Sequence, residues 1–143
     1  MRTRTVMVED LMTTALVTAK VDDTVSEVDL EMKLAGIRHI PVVDLRNRLI
    51  GIASQRDLLR ALARSAGGSV EMRSVMKTRV WTVSPDARAA EAVDLMLSRK
   101  IGCTPVVRDD GELVGIVTET DFLALAHDAL IDGVARSARR RAS

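Results

Sequence analysis

Two short motifs in this chain combine a hydroxyl side chain with a carboxylate three residues later, directly after a run of apolar residues. The first joins Ser54 to Asp57, and the second joins Thr118 to Asp121. This spacing is typical of a helix start, where the hydroxyl caps the helix and the acid complements its dipole. A helix start also attracts phosphate, and a nearby carboxylate can accept hydrogen bonds from a ribose diol. The motifs therefore predict either plain helix caps or a nucleotide site.

Each motif belongs to a longer unit that occurs twice, 64 residues apart. Residues 51–57 return as residues 115–121, and residues 37–43 return as residues 101–107. Aligning residues 8–59 with residues 72–123 needs no gap and gives 15 identities in 52 positions. Such self-similarity predicts two copies of one unit related by a pseudo-twofold axis, with ligand clefts between them.

Size and composition indicate an ordinary soluble protein. Hydrophobic residues make up 47% and charged residues 29% of the 143 residues. A unit of about 60 residues buries only about 60% of its unfolded surface, so the two repeats are expected to share a core. Apolar runs are of strand length, and no signal peptide is recognisable. With a single cysteine, Cys103, these features predict a cytoplasmic protein without disulfides and without a membrane partner.

Hydrophobic periodicity predicts the order strand, helix, strand, strand, helix in each repeat, an α/β (α+β) fold whose two halves pack sheet to sheet. We expect the first repeat to span residues 8–64, a linker residues 65–69, the second repeat residues 70–130 and a tail residues 131–143. The first strands are predicted at residues 16–19 and 80–83, and the last helix at residues 119–130. A short extra helix is expected before each repeat, at residues 8–12 and 70–76.

Charge is distributed unevenly along the chain. Residues 134–143 contain four arginines and no acid, so that without them the net charge of +1 becomes −3. We expect this basic tail to be disordered. Nucleic-acid binding by the acidic body is not expected, because it needs a basic face and aromatic stacking. Trp81 and Phe122 are the only aromatic residues; Trp81 either fills the core or lines a second pocket.

The segment Ile-Arg-His-Ile-Pro-Val-Val-Asp at residues 37–44, the two Gly-Ile-x-Ser/Thr-x-x-Asp segments and the doubling resemble a tandem pair of cystathionine-β-synthase (CBS) domains, or Bateman module. The resemblance covers residues 8–130. It implies binding of an adenosine-containing ligand, such as AMP, ADP, ATP or S-adenosylmethionine, between the repeats, and assembly as a homodimer. It also implies a stand-alone regulatory module that needs no cofactor and signals to a separate effector protein by a conformational change.

The same resemblance assigns roles to individual residues. Asp57 and Asp121 match the ribose-binding acids of the family, and Ser54 and Thr118 match the hydroxyls near ribose and phosphate. Arg56 and Thr120 match positions that can reach the phosphate, the backbone of Thr18 and Thr82 would face the adenine edge, and Ile40 with Pro41 and Thr104 with Pro105 would form walls of the base pocket.

The two predicted sites differ in charge. Arg38 and His39 resemble the basic pair that reaches phosphate, and arginine suits phosphate because its donors form a fork. The second repeat has Gly102 and Cys103 at these positions, and Thr120 replaces an arginine. We therefore expect the first site to favour a charged nucleotide, and the second to be empty, weaker or suited to a less anionic adenosine compound.

Two other function classes, an enzyme and a structural module, compete with a ligand sensor. An enzyme would need an activated nucleophile, and Ser54, His39 and Asp57 lack the surroundings of one; no His/Cys cluster has metal-ligand spacing. Neither catalytic nor metal-binding residues are expected. The alternative to a sensor is a ligand-free structural or oligomerisation module, which the altered second site favours.

Overall fold

The structure is a computed structural model that describes residues 5–65 and 69–142, without the side chains of residues 134–142. Its fold is mixed α/β, as the sequence predicts, and each repeat contributes one β-hairpin flanked by helices. The helices are α1 (Val8–Leu11), α2 (Val25–Ala35), α3 (Gln55–Arg64), α4 (Ala89–Arg99), α5 (Glu119–Ala142) and a single 3-10 turn (Met72–Ser74); the strands are β1 (His39–Val43), β2 (Leu49–Ser54), β3 (Cys103–Val107) and β4 (Leu113–Thr118).

Local sequence signals explain where the helices begin and end. The Thr24 hydroxyl accepts a hydrogen bond of 3.3 Å from the backbone N–H of Glu27 and so caps α2. Gly36 ends α2 in a left-handed conformation with φ 68°, which glycine adopts without strain. Lys100 ends α4 in the same conformation with φ 53°, so the second repeat manages this cap without a glycine.

The two hairpins are built alike. Strands β1 and β2 pair antiparallel with His39 opposite Ser54, and β3 and β4 pair with Cys103 opposite Thr118. The predicted first strands at residues 16–19 and 80–83 are wrong as regular strands. Each segment makes a single parallel bridge, at Ala19 and at Val83, because it runs along the hairpin for too short a distance to build a ladder.

The first segments of the two repeats are exchanged between them. Helix α1 packs on the second repeat, where the Val8 N–H donates to the Ala87 carbonyl oxygen at 2.8 Å and the Val8 side chain is fully buried in the core. Met72 packs on the first repeat, where its N–H donates to the Asp23 carbonyl oxygen at 2.9 Å. Each core is therefore completed by the other repeat.

Two glycines make room for the exchanged segments. A Cβ atom at Gly51 would lie 2.7 Å from the Met76 sulfur, and one at Gly115 would lie 2.6 Å from the Met12 sulfur. A Cβ atom at either position would force the methionine side chain to shift. The glycine of each Gly-Ile motif thus lets a methionine from the other repeat pack directly against the hairpin backbone.

The last helix differs from its predicted bounds. Helix α5 continues to Ala142. The sequence analysis predicts that this helix ends near Leu130 and that a disordered tail follows. Alanine and arginine, which dominate this segment, are among the strongest helix formers, and this explains the continuation. In the part of the chain that is described, no helix combines the length and apolar character that a membrane span requires.

Candidate functional site

A cleft of about 770 Å³ lies between the two repeats. The first repeat contributes the end of β2 and the first turns of α3, together with residues 38 and 39. The second repeat contributes residues 77 and 79–81, the segment 100–103, Pro105 and Glu119. A ligand in this cleft would contact both halves of the molecule.

The Ser54–Asp57 motif lies in this cleft and also caps α3. The Asp57 N–H donates to the Ser54 hydroxyl at 3.2 Å, and the Ser54 N–H donates to Oδ2 of Asp57 at 2.9 Å. The motif is therefore a helix cap, and its place in the cleft also leaves it accessible to a ligand. Among the described residues no hydrogen bond involves Oδ1 of Asp57, so this oxygen is available to a hydroxyl donor in the cleft.

The cleft is strongly cationic. Its described lining carries two carboxylates, Asp57 and Glu119. Against these stand six cationic side chains: Arg38, Arg56, Arg60, Lys77, Arg79 and Lys100. None of the six forms a salt bridge with any described residue. A concave site lined by uncompensated charge of one sign attracts a counter-ion of the opposite sign.

Four of these cations were missed by the sequence analysis. Arg60 lies one turn beyond the motif on α3, and Lys100 follows α4. Lys77 directly follows Met76, whose segment crosses to the first repeat, and Arg79 comes two residues later. Their positions in the repeat carry Thr13 and Ala15 in the other copy; this difference between the copies is the signal that could have revealed them.

His39 lies against the second repeat. A Cβ atom at Gly102 would be 2.9 Å from the His39 Cε1 atom, so a side chain there would displace the imidazole from its present position. Burial lowers the pKa of His39 below its ordinary value of 6.5, and the Arg38 and Lys77 charges act in the same direction. The Glu119 and Asp57 carboxylates oppose the shift without cancelling it, and His39 is therefore neutral at pH 7.

Trp81 lines this cleft and does not fill the core. Its side chain is 40% exposed, which decides between the two alternatives that the sequence left open. The Arg99 guanidinium lies over the indole, with its Cζ atom 4.1 Å from the ring centroid. This distance is well within the range of a cation–π interaction.

The second motif has a different geometry from the first. The Thr118 N–H donates to Oδ2 of Asp121 at 2.8 Å, and the Thr118 hydroxyl donates to the same oxygen at 3.3 Å. Thr118 ends β4, Thr120 and Asp121 lie in the first turn of α5, and all three are outside the described lining of the 770 Å³ cleft. The structure therefore separates the two predicted sites, as the pseudo-twofold relation requires.

Of the predicted base-pocket walls, only Pro105 lines the cleft. Ile40 and Thr104 are fully buried, and Ile40 packs in the core of the first repeat. Their assignment as walls of this cleft needs correction, because alternate side chains of a strand point to opposite faces. Pro41 is also buried, and Thr18 and Thr82 are half-buried next to the bridges at residues 19 and 83; all three lie outside the described lining.

The Cys103 thiol is buried and acts as a packing residue. Burial raises the pKa of the Cys103 thiol to about 12, and the Glu119 carboxylate adds to this shift. The thiol therefore stays protonated and unreactive. In residues 5–65 and 69–142, no three His, Cys, Asp or Glu side chains come together in a way that could hold a metal ion.

The fold and the two motifs together define a pair of CBS domains. The profile of the CBS domain family matches residues 8–64 and again residues 72–128. These two ranges are the two repeats, and together they cover most of the chain. The chain therefore belongs to the CBS domain family and carries two such domains in tandem.

Two relatives of known sequence are considerably longer than this chain. An uncharacterized protein of Methanopyrus kandleri is 33% identical over 122 residues, which cover 84% of this chain and 62% of that protein. Inosine-5'-monophosphate dehydrogenase of Methanocaldococcus jannaschii is 32% identical over 108 residues, which cover 76% of this chain but 21% of that enzyme. The chain thus spans less than two thirds of the length of each of these relatives.

Solved structures of similar fold include complexes with adenosine compounds. A protein assigned to acetoin utilization (AcuB) from Vibrio cholerae is 39% identical, with a TM-score of 0.80 over 89% of this chain and 94% of that one. The CBS domain pair of protein MJ0100, in complex with 5'-methylthioadenosine and S-adenosyl-L-methionine, is 27% identical, with a TM-score of 0.81 over 88% and 99%. CBSX2 in complex with AMP is 26% identical, with a TM-score of 0.76 over 87% and 98%.

Proposed function

We propose that this protein is a regulatory module that binds an adenosine nucleotide in the 770 Å³ cleft and carries no catalytic activity of its own. One observation carries the proposal: the Asp57 carboxylate, which suits a ribose, shares the cleft with six cationic side chains that have no ion-pair partner among the described residues. A sugar-binding acid and a phosphate-binding cluster in one concave site fit a nucleotide.

Different lining residues bind different parts of the nucleotide. Oδ1 of Asp57 accepts hydrogen bonds from the ribose hydroxyls, and Arg38, His39 and Arg56 contact the phosphates. Lys77 and Arg79 extend the cationic wall and favour a nucleotide with several phosphates, such as ATP or ADP, over S-adenosylmethionine. The Ser54 hydroxyl is engaged by the Asp57 N–H at 3.2 Å, which suits a structural role better than a nucleophilic one.

Ligand binding would be transmitted through the arrangement of the two repeats. The cleft takes its lining from both repeats, so a nucleotide stabilises those arrangements in which both halves reach it. We propose that a separate effector protein responds to this change. We further propose a homodimer, supported by exposed leucines on the helices, among them Leu34 at 81% and Leu97 at 73% exposure.

The second site would take a less anionic ligand. We assign Asp121 to its ribose side and Thr118 and Thr120 to its phosphate side, and Thr18 and Thr82 to its base side, on the family resemblance alone; the fully buried Thr104 would act there only through packing. Gly102 and Cys103 provide no cation there. We therefore propose that the second site binds an adenosine compound of lower charge with lower affinity, or stays empty.

A thermal-shift panel with AMP, ADP, ATP and S-adenosylmethionine tests the proposal. A ligand at 100 times its dissociation constant stabilises the folded state by about 2.7 kcal/mol, which is readily measured. We expect adenosine phosphates to raise the Tm of the wild type and Arg38→Ala to reduce that rise. The absence of any shift across the panel would favour the alternative, an oligomerisation module without a ligand.

A further inference from the structure

We propose that the Trp81 indole is the stacking platform for the purine base and that Arg99 holds it in place. This inference rests on the proposed function, since it assigns the base end of the nucleotide in the same cleft. Trp81 lines the cleft and keeps 40% of its surface exposed. An exposed aromatic face in a cationic cleft is the arrangement in which proteins stack nucleic-acid bases.

One face of the indole is already occupied. The Arg99 guanidinium carbon lies 4.1 Å from the ring centroid, yet Arg99 lies outside the described lining of the cleft. We infer that Arg99 covers the face turned away from the cleft, so that the opposite face is free for a base. The contact fixes the indole before binding, which reduces the ordering that a ligand must impose.

Trp81 is assigned to the base of the nucleotide, and Asp57 to its ribose. Asp57 belongs to α3 of the first repeat, whereas Trp81 belongs to the second repeat. A nucleoside with its ribose on Asp57 and its base on Trp81 would therefore bridge the two repeats. This bridging links base recognition to the relative arrangement of the halves.

The pair is present in one repeat only. The residues that correspond to Trp81 and Arg99 in the first repeat are Val17 and Ala35. The other site therefore lacks both the platform and its support. Base stacking and the cationic cluster coincide in the same cleft, which is the combination that a nucleotide with several phosphates requires.

Isothermal titration with ATP and with inorganic triphosphate separates base binding from phosphate binding. We expect Trp81→Leu to weaken ATP binding roughly 5- to 100-fold, the range that removal of a stacking aromatic produces. The same variant should bind inorganic triphosphate as the wild type does. Trp81→Phe should restore most of the ATP affinity, and Arg99→Gln should lose less than Trp81→Leu.

Fluorescence gives a second measurement on the unmodified protein. Trp81 is the only tryptophan and the chain has no tyrosine, so its emission reports the indole directly. Stacking predicts that ATP changes this emission and that triphosphate changes it far less. Equal ATP affinity in the wild type and Trp81→Leu, or equal losses for ATP and triphosphate, would overturn the assignment of Trp81 alone. A wild type that binds neither compound would overturn the proposed function as well.

Discussion

His39 is a titratable side chain held between opposing charges at the contact of the two repeats. Glu119 and Asp57 raise its pKa, while Arg38, Lys77 and above all burial lower it, with a net lowering from 6.5. In the folded protein without ligand the neutral imidazole is therefore favoured. A bound phosphate would reverse this preference, because it stabilises the imidazolium.

This environment predicts a pH-dependent stability. The unfolded chain protonates His39 more readily than the folded protein does, so the contribution of His39 is fully present above pH 6.5 and is lost as the pH falls towards the lowered pKa. We expect the Tm of the wild type to drop more between about pH 8 and about pH 5.5 than that of His39→Gln. Saturating ATP should reduce the difference; identical drops for the two proteins without ligand would contradict this account.

At the scale of residues, sequence reasoning found the helix-capping acids and the Arg38–His39 pair because these occur in contiguous motifs. It missed Lys77 and Arg79, and it left open whether Trp81 lines the cleft. These residues reach the cleft only because the chain crosses from one repeat to the other, and such a crossing leaves no mark in local periodicity.

The exchange of leading segments is the main feature at the scale of elements. The sequence predicts a short helix at residues 8–12, which forms as α1, and another at residues 70–76, where only the 3-10 turn Met72–Ser74 forms. It does not reveal which repeat each one packs on, because the two repeats have closely similar apolar faces. The glycines of the Gly-Ile motifs are the residues that allow the exchanged methionines to pass.

This crossing can be tested at Gly115. A methyl group there would lie 2.6 Å from the Met12 sulfur, so Gly115→Ala should reduce the free energy of unfolding by about 1–3 kcal/mol. In a Met12→Ala background the same substitution should cost less, because the sulfur is gone. Urea unfolding of the two single variants and the double variant measures this coupling, and strictly additive effects would mean that Met12 does not lie over Gly115.

At the scale of the whole molecule, charge is concentrated in one cleft. The described lining of that cleft carries six cations and two carboxylates, although the net charge of the chain is only +1. The pseudo-twofold relation and the α/β class follow from the repeat in the sequence. The concentration of charge does not, because it combines side chains from both copies.

Ionic strength should therefore affect ATP and adenosine differently. Screening weakens the attraction between the phosphates and the cationic lining. We expect the Kd for ATP to rise roughly tenfold between about 50 mM and about 500 mM salt, and the Kd for adenosine to change little. A salt dependence that is the same for both compounds would place the phosphates outside the cationic cluster.

The most direct test of the account compares ATP binding by Asp57→Ala and Asp121→Ala, measured by calorimetry with the wild type. Both variants lose an equivalent bond at a helix start, at 2.9 Å and 2.8 Å, but only Asp57 lines the cationic cleft. We predict one strong ATP site per chain in the wild type, about tenfold or greater weakening in Asp57→Ala and retained affinity in Asp121→Ala. Equal binding by Asp57→Ala and the wild type, or no ATP binding by the wild type, would contradict the nucleotide site.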